Sequence, residues 1–114
     1  MNKFSLDKKT AIVTGGAQGF GLAMTERFLM SGADVIIWDF DILAVEKTIK
    51  KLNNSKLSSA IVDVTNFDQI STEVEKVTKN KKIDIFINNA GIAGKNTTVW
   101  DYPVEEWKKV LDLN

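Results

Sequence analysis

The stretch 14–21, Thr-Gly-Gly-Ala-Gln-Gly-Phe-Gly, separates an apolar run from an amphipathic one. Glycine lets the backbone turn sharply and approach a bound group closely, and a helix that starts in such a turn points unpaired N–H groups at that group. Such a turn is suited to binding phosphate or diphosphate oxygens. Gly15, Gly19 and Gly21 follow G-x-x-x-G-x-G, whereas the general dinucleotide-binding pattern is G-x-G-x-x-G, so this spacing alone does not identify the ligand.

The three glycines also have an explanation that needs no ligand. They would let a helix pack closely against a strand. However, each glycine in a helix lowers helix stability by about 1 kcal/mol relative to alanine, and local packing alone does not readily explain three of them in one turn. We therefore favour the phosphate-binding interpretation.

Polar residues follow apolar runs at three further places: Asp39, Asp63-Val64 and Asn88-Asn89-Ala90-Gly91. A carboxylate there can accept hydrogen bonds from hydroxyl or amino groups, and small residues let the backbone pass close to a ligand. Alternatives without a ligand remain. Asp39 would then only end a strand, Asp63 would only precede a helix cap at Thr65, and the asparagines would form a plain turn.

The composition excludes several kinds of chemistry. The chain has 114 residues, 15 Lys+Arg and 15 Asp+Glu, and its basic residues lack aromatic interleaving, so nothing favours binding to nucleic acid or an anionic membrane. Cysteine and histidine are absent, which removes thiolate nucleophiles and the usual zinc ligands, and we predict no metal site. With no apolar leader and no run near the ~18 residues of a membrane span, we expect one cytoplasmic domain over residues 1–114.

Strand-like and helix-like stretches alternate along the chain. We predict strands at residues 10–14, 34–39, 58–62 and 83–87, and helices at 19–31, 42–52, 67–77 and from Pro103 onward. The first helix should pack through Phe20, Ala23, Met24 and Phe28 and end near Gly32. Helix caps are predicted at Asp41 and at a capping box formed by Thr65 and Asp68, and Asn53-Asn54 should end the second helix.

This alternation predicts an α/β fold with a parallel sheet and right-handed crossovers. In a doubly wound arrangement the strand order is 3-2-1-4, which places the glycine turn opposite residues 88–91. The fourth strand then forms an apolar edge. We therefore expect the N-terminal part of a larger domain, or a sheet that a partner completes; a self-sufficient four-stranded domain is the alternative.

Four motifs in this order resemble the N-terminal half of the short-chain dehydrogenase/reductase family. Residues 14–21 match T-G-x-x-x-G-x-G, Asp63-Val64 match the adenine-contacting pair, residues 88–91 match N-N-A-G, and residues 107–114 match W-x-x-x-x-x-x-N. Alone, the glycine turn also fits a phosphate loop, a methyltransferase turn or a plain tight turn. The resemblance implies a Rossmann-like fold with an incomplete second half.

The resemblance also implies which residues bind the dinucleotide. These are Gly15, Gln18, Gly19, Phe20, Gly21, Asp39, Asp63, Val64, Asn89, Ala90 and Gly91. Asp39 would accept hydrogen bonds from the adenosine ribose and repel the extra phosphate of NADP, since like charges ~4 Å apart cost about 4 kcal/mol at a dielectric near 20. Relatives that prefer NADP tend to carry Arg or Lys where this chain has Gln18 and Phe40. We therefore predict NAD over NADP.

The implied reaction is hydride transfer between NAD(H) and a small carbonyl or alcohol substrate, and by analogy the chain is reminiscent of 3-oxoacyl-carrier-protein reductases. Asn114 matches the family's catalytic asparagine, which holds a water in a proton relay. The serine and the Y-x-x-x-K of the family are not identifiable, and Tyr102 is not that tyrosine. We expect the 114-residue chain alone to be inactive and the complete protein to form a homo-oligomer, a dimer or tetramer. The alternative is a truncated, non-catalytic dinucleotide-binding module.

Overall fold

The structure is a computed structural model that describes residues 5–89. Within this range the elements are β1 (Thr10–Thr14), α1 (Gly19–Met30), β2 (Asp34–Asp39), α2 (Ile42–Leu52), β3 (Leu57–Ile61), α3 (Phe67–Thr78) and β4 (Ile85–Asn88). Three predicted site residues, Ala90, Gly91 and Asn114, and the helix expected from Pro103 lie outside the described residues.

The described strands form one parallel sheet in the order β3-β2-β1-β4. The predicted fold class and strand order are therefore confirmed. All five residues of β1 are buried, because β1 has a hydrogen-bonded neighbour on each side and helices over both faces. The order changes direction at β1, and a doubly wound sheet has its crevice at such a point.

Two apolar clusters fill the two sides of the sheet. One cluster combines Ile12 and Trp38 with Ile70 and Val74 of α3, and the ring of Phe86 in β4 meets Trp38 edge-on at 5.7 Å. The other cluster lies under α1 and α2, and its buried residues are Leu6, Val13, Ala17, Ala33, Val35, Ile37, Val45 and Leu57. Helices thus cover both faces, as expected for strands that read as nearly continuous apolar runs.

The predicted contact face of α1 is partly wrong. Phe20 is 67% exposed and Ala23 is exposed as well, whereas the buried residues of the helix are Gly21 and Thr25. The first turn of the helix makes its close approach through Gly21, and this rotates the contact face away from Phe20. Phe28, seven residues after Gly21, does pack against the core.

Several predicted boundaries also differ from the structure. β3 begins and ends one residue early, and β4 begins two residues later and ends one residue later than predicted. Asp84 precedes β4, and its backbone N–H donates to the carbonyl of Thr10 at 2.9 Å. The cap of α3 is Asn66, whose side chain accepts from the N–H of Gln69, because the predicted cap residue Thr65 donates to Asp63 instead.

Candidate functional site

The glycine turn joins the carboxyl end of β1 to α1. Gly15 and Gly19 have φ values of 63° and 52°, a left-handed conformation that favours glycine, and the N–H of Gly15 donates to the carbonyl of Trp38 at 2.7 Å. The N-cap residue of α1 is Gln18, and its side chain makes no capping hydrogen bond. The first N–H groups of α1 therefore have no side-chain cap, which suits a helix start that faces an anion.

The glycines of this turn have different reasons to be glycine. A Cβ atom on Gly21 would overlap with the carbonyl oxygen of Gly15 and lie 2.6 Å from Nδ2 of Asn89. A Cβ on Gly19 would have nothing within 4 Å. Gly21 thus fits the close-packing interpretation, while Gly19 borders open space beside the start of α1.

Hydrogen bonds tie the turn to the end of β4. The hydroxyl of Thr14 accepts from the N–H of Asn89 at 2.7 Å and lies 3.1 Å from Oδ1 of Asn88. The side-chain amide of Asn89 donates to the carbonyl of Gly15 at 3.4 Å. The strand order thus brings Asn88 and Asn89 against the glycine turn, although about 75 residues separate them from Thr14.

Two buried oxygen atoms at this edge have no hydrogen-bond partner among residues 5–89. Asp39 ends β2 with 6% exposure; its Oδ1 accepts from the N–H of Asp41 at 3.1 Å, but its Oδ2 has no partner. Oδ1 of Asn89 is likewise unpartnered. A buried acceptor without a donor costs about 1–3 kcal/mol, and more when it is charged. Both atoms are therefore suited to accepting hydrogen bonds from a ligand.

Gln18 and Phe20 lie at the rim of the turn. Nε2 of Gln18 is 3.5 Å from Oδ2 of Asp41, the residue that caps α2 as predicted, so the side chain of Gln18 spans from the turn to the start of α2. Phe20 and Phe40 are 67% and 74% exposed. The positions occupied by Gln18 and Phe40 therefore carry no cation.

Asp63 lies two residues beyond β3 and is exposed. Its Oδ1 accepts from the hydroxyl of Thr65 at 2.6 Å and from the Thr65 N–H at 2.9 Å. The hydroxyl bond, followed by the backbone bond, lowers the pKa of Asp63 against a small opposing effect of burial. Val64 is buried in the core, at 7% exposure. The contacts of Asp63 are compatible with two roles. Asp63 can support the chain before α3, or it can contact a ligand.

Two residues in contact with the turn were missed in the sequence. Thr25 of α1 donates to the carbonyl of Gly16 at 3.2 Å, and Thr48 of α2 donates to the carbonyl of Ala17 at 3.1 Å. Both hydroxyls are buried. The only available signal was a threonine at a helix position that the apolar pattern did not explain.

The edge thus combines a glycine turn with uncapped N–H groups, a buried carboxylate and an amide. This set can bind a diphosphate next to a group that carries hydroxyls. No cluster of three or more potential metal-ligating side chains occurs among residues 5–89. In the same range, no helix has both the length and the apolar character needed to cross a bilayer.

Known proteins are similar in sequence to this chain over nearly its whole length. It is 40% identical over 118 residues to a probable NADP-dependent mannitol dehydrogenase of Yarrowia lipolytica, covering 100% of this chain and 42% of the relative. It is 37% identical to the 3-oxoacyl-(acyl-carrier-protein) reductase FabG of Chlamydia muridarum, covering 96% and 45%. The chain thus spans less than half the length of these curated relatives.

A solved structure has a similar fold. A short chain dehydrogenase/reductase from Burkholderia phymatum, in complex with NAD, superposes with a TM-score of 0.72 at 26% identity, covering 94% of this chain and 39% of that one. The profile of the short chain dehydrogenase family matches residues 9–114. Since this match includes far more than half of the residues, the chain belongs to the short chain dehydrogenase family.

Proposed function

We propose that this chain is the cofactor-binding part of an oxidoreductase that transfers hydride between NAD(H) and a small carbonyl or alcohol substrate. The observation that carries the proposal is the carboxylate of Asp39, 6% exposed, whose Oδ2 lacks a partner among the described residues. It ends the strand next to β1, from which the glycine turn starts. Family membership supports the same reaction class.

The residues present fit a dinucleotide. The turn, with Gly15, Gly19 and Gly21, would hold the diphosphate, and Asp39 would accept hydrogen bonds from the adenosine ribose. Asn89 would meet the other ribose through its Oδ1, which has no hydrogen-bond partner within residues 5–89. The other residues proposed to contact the cofactor are Gln18, Phe20, Asp63, Val64, Ala90 and Gly91. When bound, the nicotinamide would supply the hydride chemistry, and the chain's own residues would bind and orient it.

The proposal includes a preference for NAD over NADP. The extra phosphate of NADP carries about −1.5 to −2 charges, and a buried Asp39 carboxylate next to it would be repelled by a like charge. Neither Gln18 nor Phe40 supplies a compensating cation. One relative has NADP in its name and one similar structure was solved with NAD, so these names do not decide between the two cofactors. The proposed preference rests on the charge arrangement alone.

We also infer that the 114 residues alone have no appreciable turnover. The tyrosine, lysine and serine expected of the family are not identifiable in this sequence, and a positioned general acid is worth about 10² to 10⁴ in rate. Asn114, the proposed relay residue, would need those groups. The second candidate, a non-catalytic dinucleotide-binding module, is favoured only by the small share of the relatives that the chain spans. For the complete protein we propose a homo-oligomer, as the family resemblance implies.

The test is a calorimetric titration of the complete protein, as its gene encodes it, with NAD⁺ and NADP⁺. We expect NAD⁺ to bind at least about tenfold more tightly, because the NADP⁺ phosphate meets the Asp39 charge even after screening. The variant Asp39→Asn should narrow the gap. Equal or tighter NADP⁺ binding would overturn the preference, and absence of binding by both would overturn the proposed function. Turnover of simple alcohols or ketones by the 114-residue chain alone would contradict the predicted inactivity.

A further inference from the structure

We infer that Thr25 and Thr48 are positioning residues that orient the two peptide groups at the centre of the glycine turn toward the dinucleotide diphosphate. This inference rests on the proposed function. It assigns a role to two buried hydroxyls that belong to neither the glycine motif nor the predicted contact face of α1.

The two threonines reach the turn from different helices. Thr25 has 0% exposure and donates to the carbonyl of Gly16, and Thr48 has 4% exposure and donates to the carbonyl of Ala17. Their sequence separations from these carbonyls are 9 and 31 residues, so neither bond is part of the regular hydrogen bonding of a helix. Consecutive carbonyls of the turn are therefore each held by one buried hydroxyl.

Residue 16 has to be small for this arrangement. A Cβ atom on Gly16 would lie 3.0 Å from Oγ1 of Thr25 and 3.0 Å from the carbonyl oxygen of Val13. The family motif leaves this position open, yet a larger residue would push against the hydroxyl that holds the Gly16 carbonyl. Gly16 and Thr25 thus fit together as one packing unit beneath the turn.

The geometry of the peptide bond gives these contacts their consequence. In a trans peptide the C=O of one residue and the N–H of the next point in opposite directions, and no described peptide bond is cis. When the carbonyls of Gly16 and Ala17 point at the threonines, the N–H groups of Ala17 and Gln18 point to the opposite side of the turn. Successive N–H groups that point the same way form a concave anion-binding site.

Loss of a hydroxyl would release the corresponding peptide. A carbonyl without its partner can rotate outward, and its oxygen would then face the negatively charged diphosphate in place of an N–H group. A valine in place of threonine keeps the shape of the side chain but cannot donate a hydrogen bond. The cost should appear in binding of the diphosphate rather than of the adenosine.

The experiment uses the complete protein and three variants, Thr48→Val, Thr25→Val and Thr48→Ser, titrated by calorimetry with ADP-ribose and with adenosine. The net worth of one hydrogen bond predicts that each valine variant binds ADP-ribose about 2- to 12-fold more weakly, with adenosine affinity unchanged. Thr48→Ser keeps the hydroxyl and should bind ADP-ribose as the wild type does.

Thr78→Val is the matched control. The Thr78 hydroxyl also donates to a backbone carbonyl, that of Val74 at 2.9 Å, but it lies in α3 on the other side of the sheet. This variant should leave both affinities unchanged. If Thr48→Val does not fold, Thr48→Ala removes the same hydroxyl and is judged by the same criterion.

Several outcomes would overturn the inference. These are wild-type affinity in both valine variants, equal weakening for adenosine and ADP-ribose, a serine variant as weak as the valine variant, or failure of both Thr48→Val and Thr48→Ala to fold. Wild-type protein that binds no ADP-ribose would overturn the proposed function, and this inference with it. Normal wild-type binding with unaffected valine variants would overturn this inference alone.

Discussion

At the amino ends of the strands, Asp84 makes two hydrogen bonds with Thr10. Its Oδ2 accepts from the N–H of Thr10 at 2.9 Å, and its own N–H donates to the Thr10 carbonyl at 2.9 Å. At the carboxyl ends, Asp39 is more deeply buried, yet its Oδ2 has no partner among residues 5–89. Both aspartates adjoin a strand of the same sheet. Asp84 is thus satisfied within the fold, whereas Asp39 has an acceptor that the proposed ligand would satisfy.

This difference separates stability from binding. A group that is satisfied within the fold contributes to stability, and its removal should be seen in unfolding. A buried group without a partner lowers stability, and it is retained where a ligand supplies the missing bond. Variants at the two ends of the sheet should therefore change different measurements.

The largest effects are expected at two glycines, one at each end. A Cβ on Gly21 would overlap with the backbone carbonyl of Gly15, so Gly21→Ala should force α1 away from β1, lower the free energy of unfolding by about 3 kcal/mol and abolish NAD⁺ binding. A Cβ on Gly32 would overlap with the end of the Asp7 side chain, which can move away. The main cost of a side chain at this position comes from its φ of +97°, which residues other than glycine rarely adopt. Gly32→Ala should therefore cost about 1–2 kcal/mol with NAD⁺ affinity retained.

Urea denaturation and calorimetric titration of both glycine variants check this. Gly19→Ala is a useful third variant, because its Cβ would meet nothing within 4 Å and only the φ of +52° is unfavourable. Equal losses of NAD⁺ affinity in Gly21→Ala and Gly32→Ala would contradict the separation of the two ends.

The next effect concerns the two aspartates. Asp39→Asn should weaken NAD⁺ binding about tenfold, because a charge-assisted hydrogen bond becomes a neutral one. Stability should stay equal or rise, because the variant removes a buried charge whose Oδ2 has no partner in the described part of the chain. Asp84→Asn should lower the free energy of unfolding by about 1 kcal/mol and leave NAD⁺ affinity unchanged. The same denaturation and titration experiments measure both. The comparison fails if Asp39→Asn loses stability without losing affinity.

The sequence predicted the sheet and its order because the strands are short apolar runs between clear turn residues. It failed on the contact face of α1, where spacing favoured Phe20 but backbone proximity at Gly21 decides the packing. Thr25 and Thr48 could not be predicted as supports of the turn, because their hydrogen bonds depend on how the helices meet the turn in space. The local sequence pattern predicts helices and strands, whereas contacts between segments distant in sequence can be identified only once the three-dimensional fold is known.

The smallest effect concerns Asp63, which lies at the carboxyl ends but, like Asp84, has a partner in the chain. Its hydrogen bond from the Thr65 hydroxyl, with a second from the Thr65 N–H, lowers its pKa from the ordinary 3.8. A pKa lowered by folding stabilises the protein above the unfolded-state value, and this stabilisation is lost as pH falls through the folded-state value. Since Asp63 is exposed, solvent screening keeps the contribution small.

Thr65→Val should therefore raise the pKa of Asp63 toward its ordinary value and remove only this weak stabilisation at neutral pH. Titration of the carboxyl carbon by NMR measures the pKa directly, and Thr65→Ser, which keeps the hydroxyl, is the matched control. An Asp63 that titrates normally in the wild type would contradict the hydrogen-bonded geometry. Unchanged NAD⁺ affinity in Thr65→Val would group Asp63 with Asp84 as a structural carboxylate, whereas weaker binding would group it with Asp39, because the Thr65 bond would then be orienting a carboxylate that the adenine contacts.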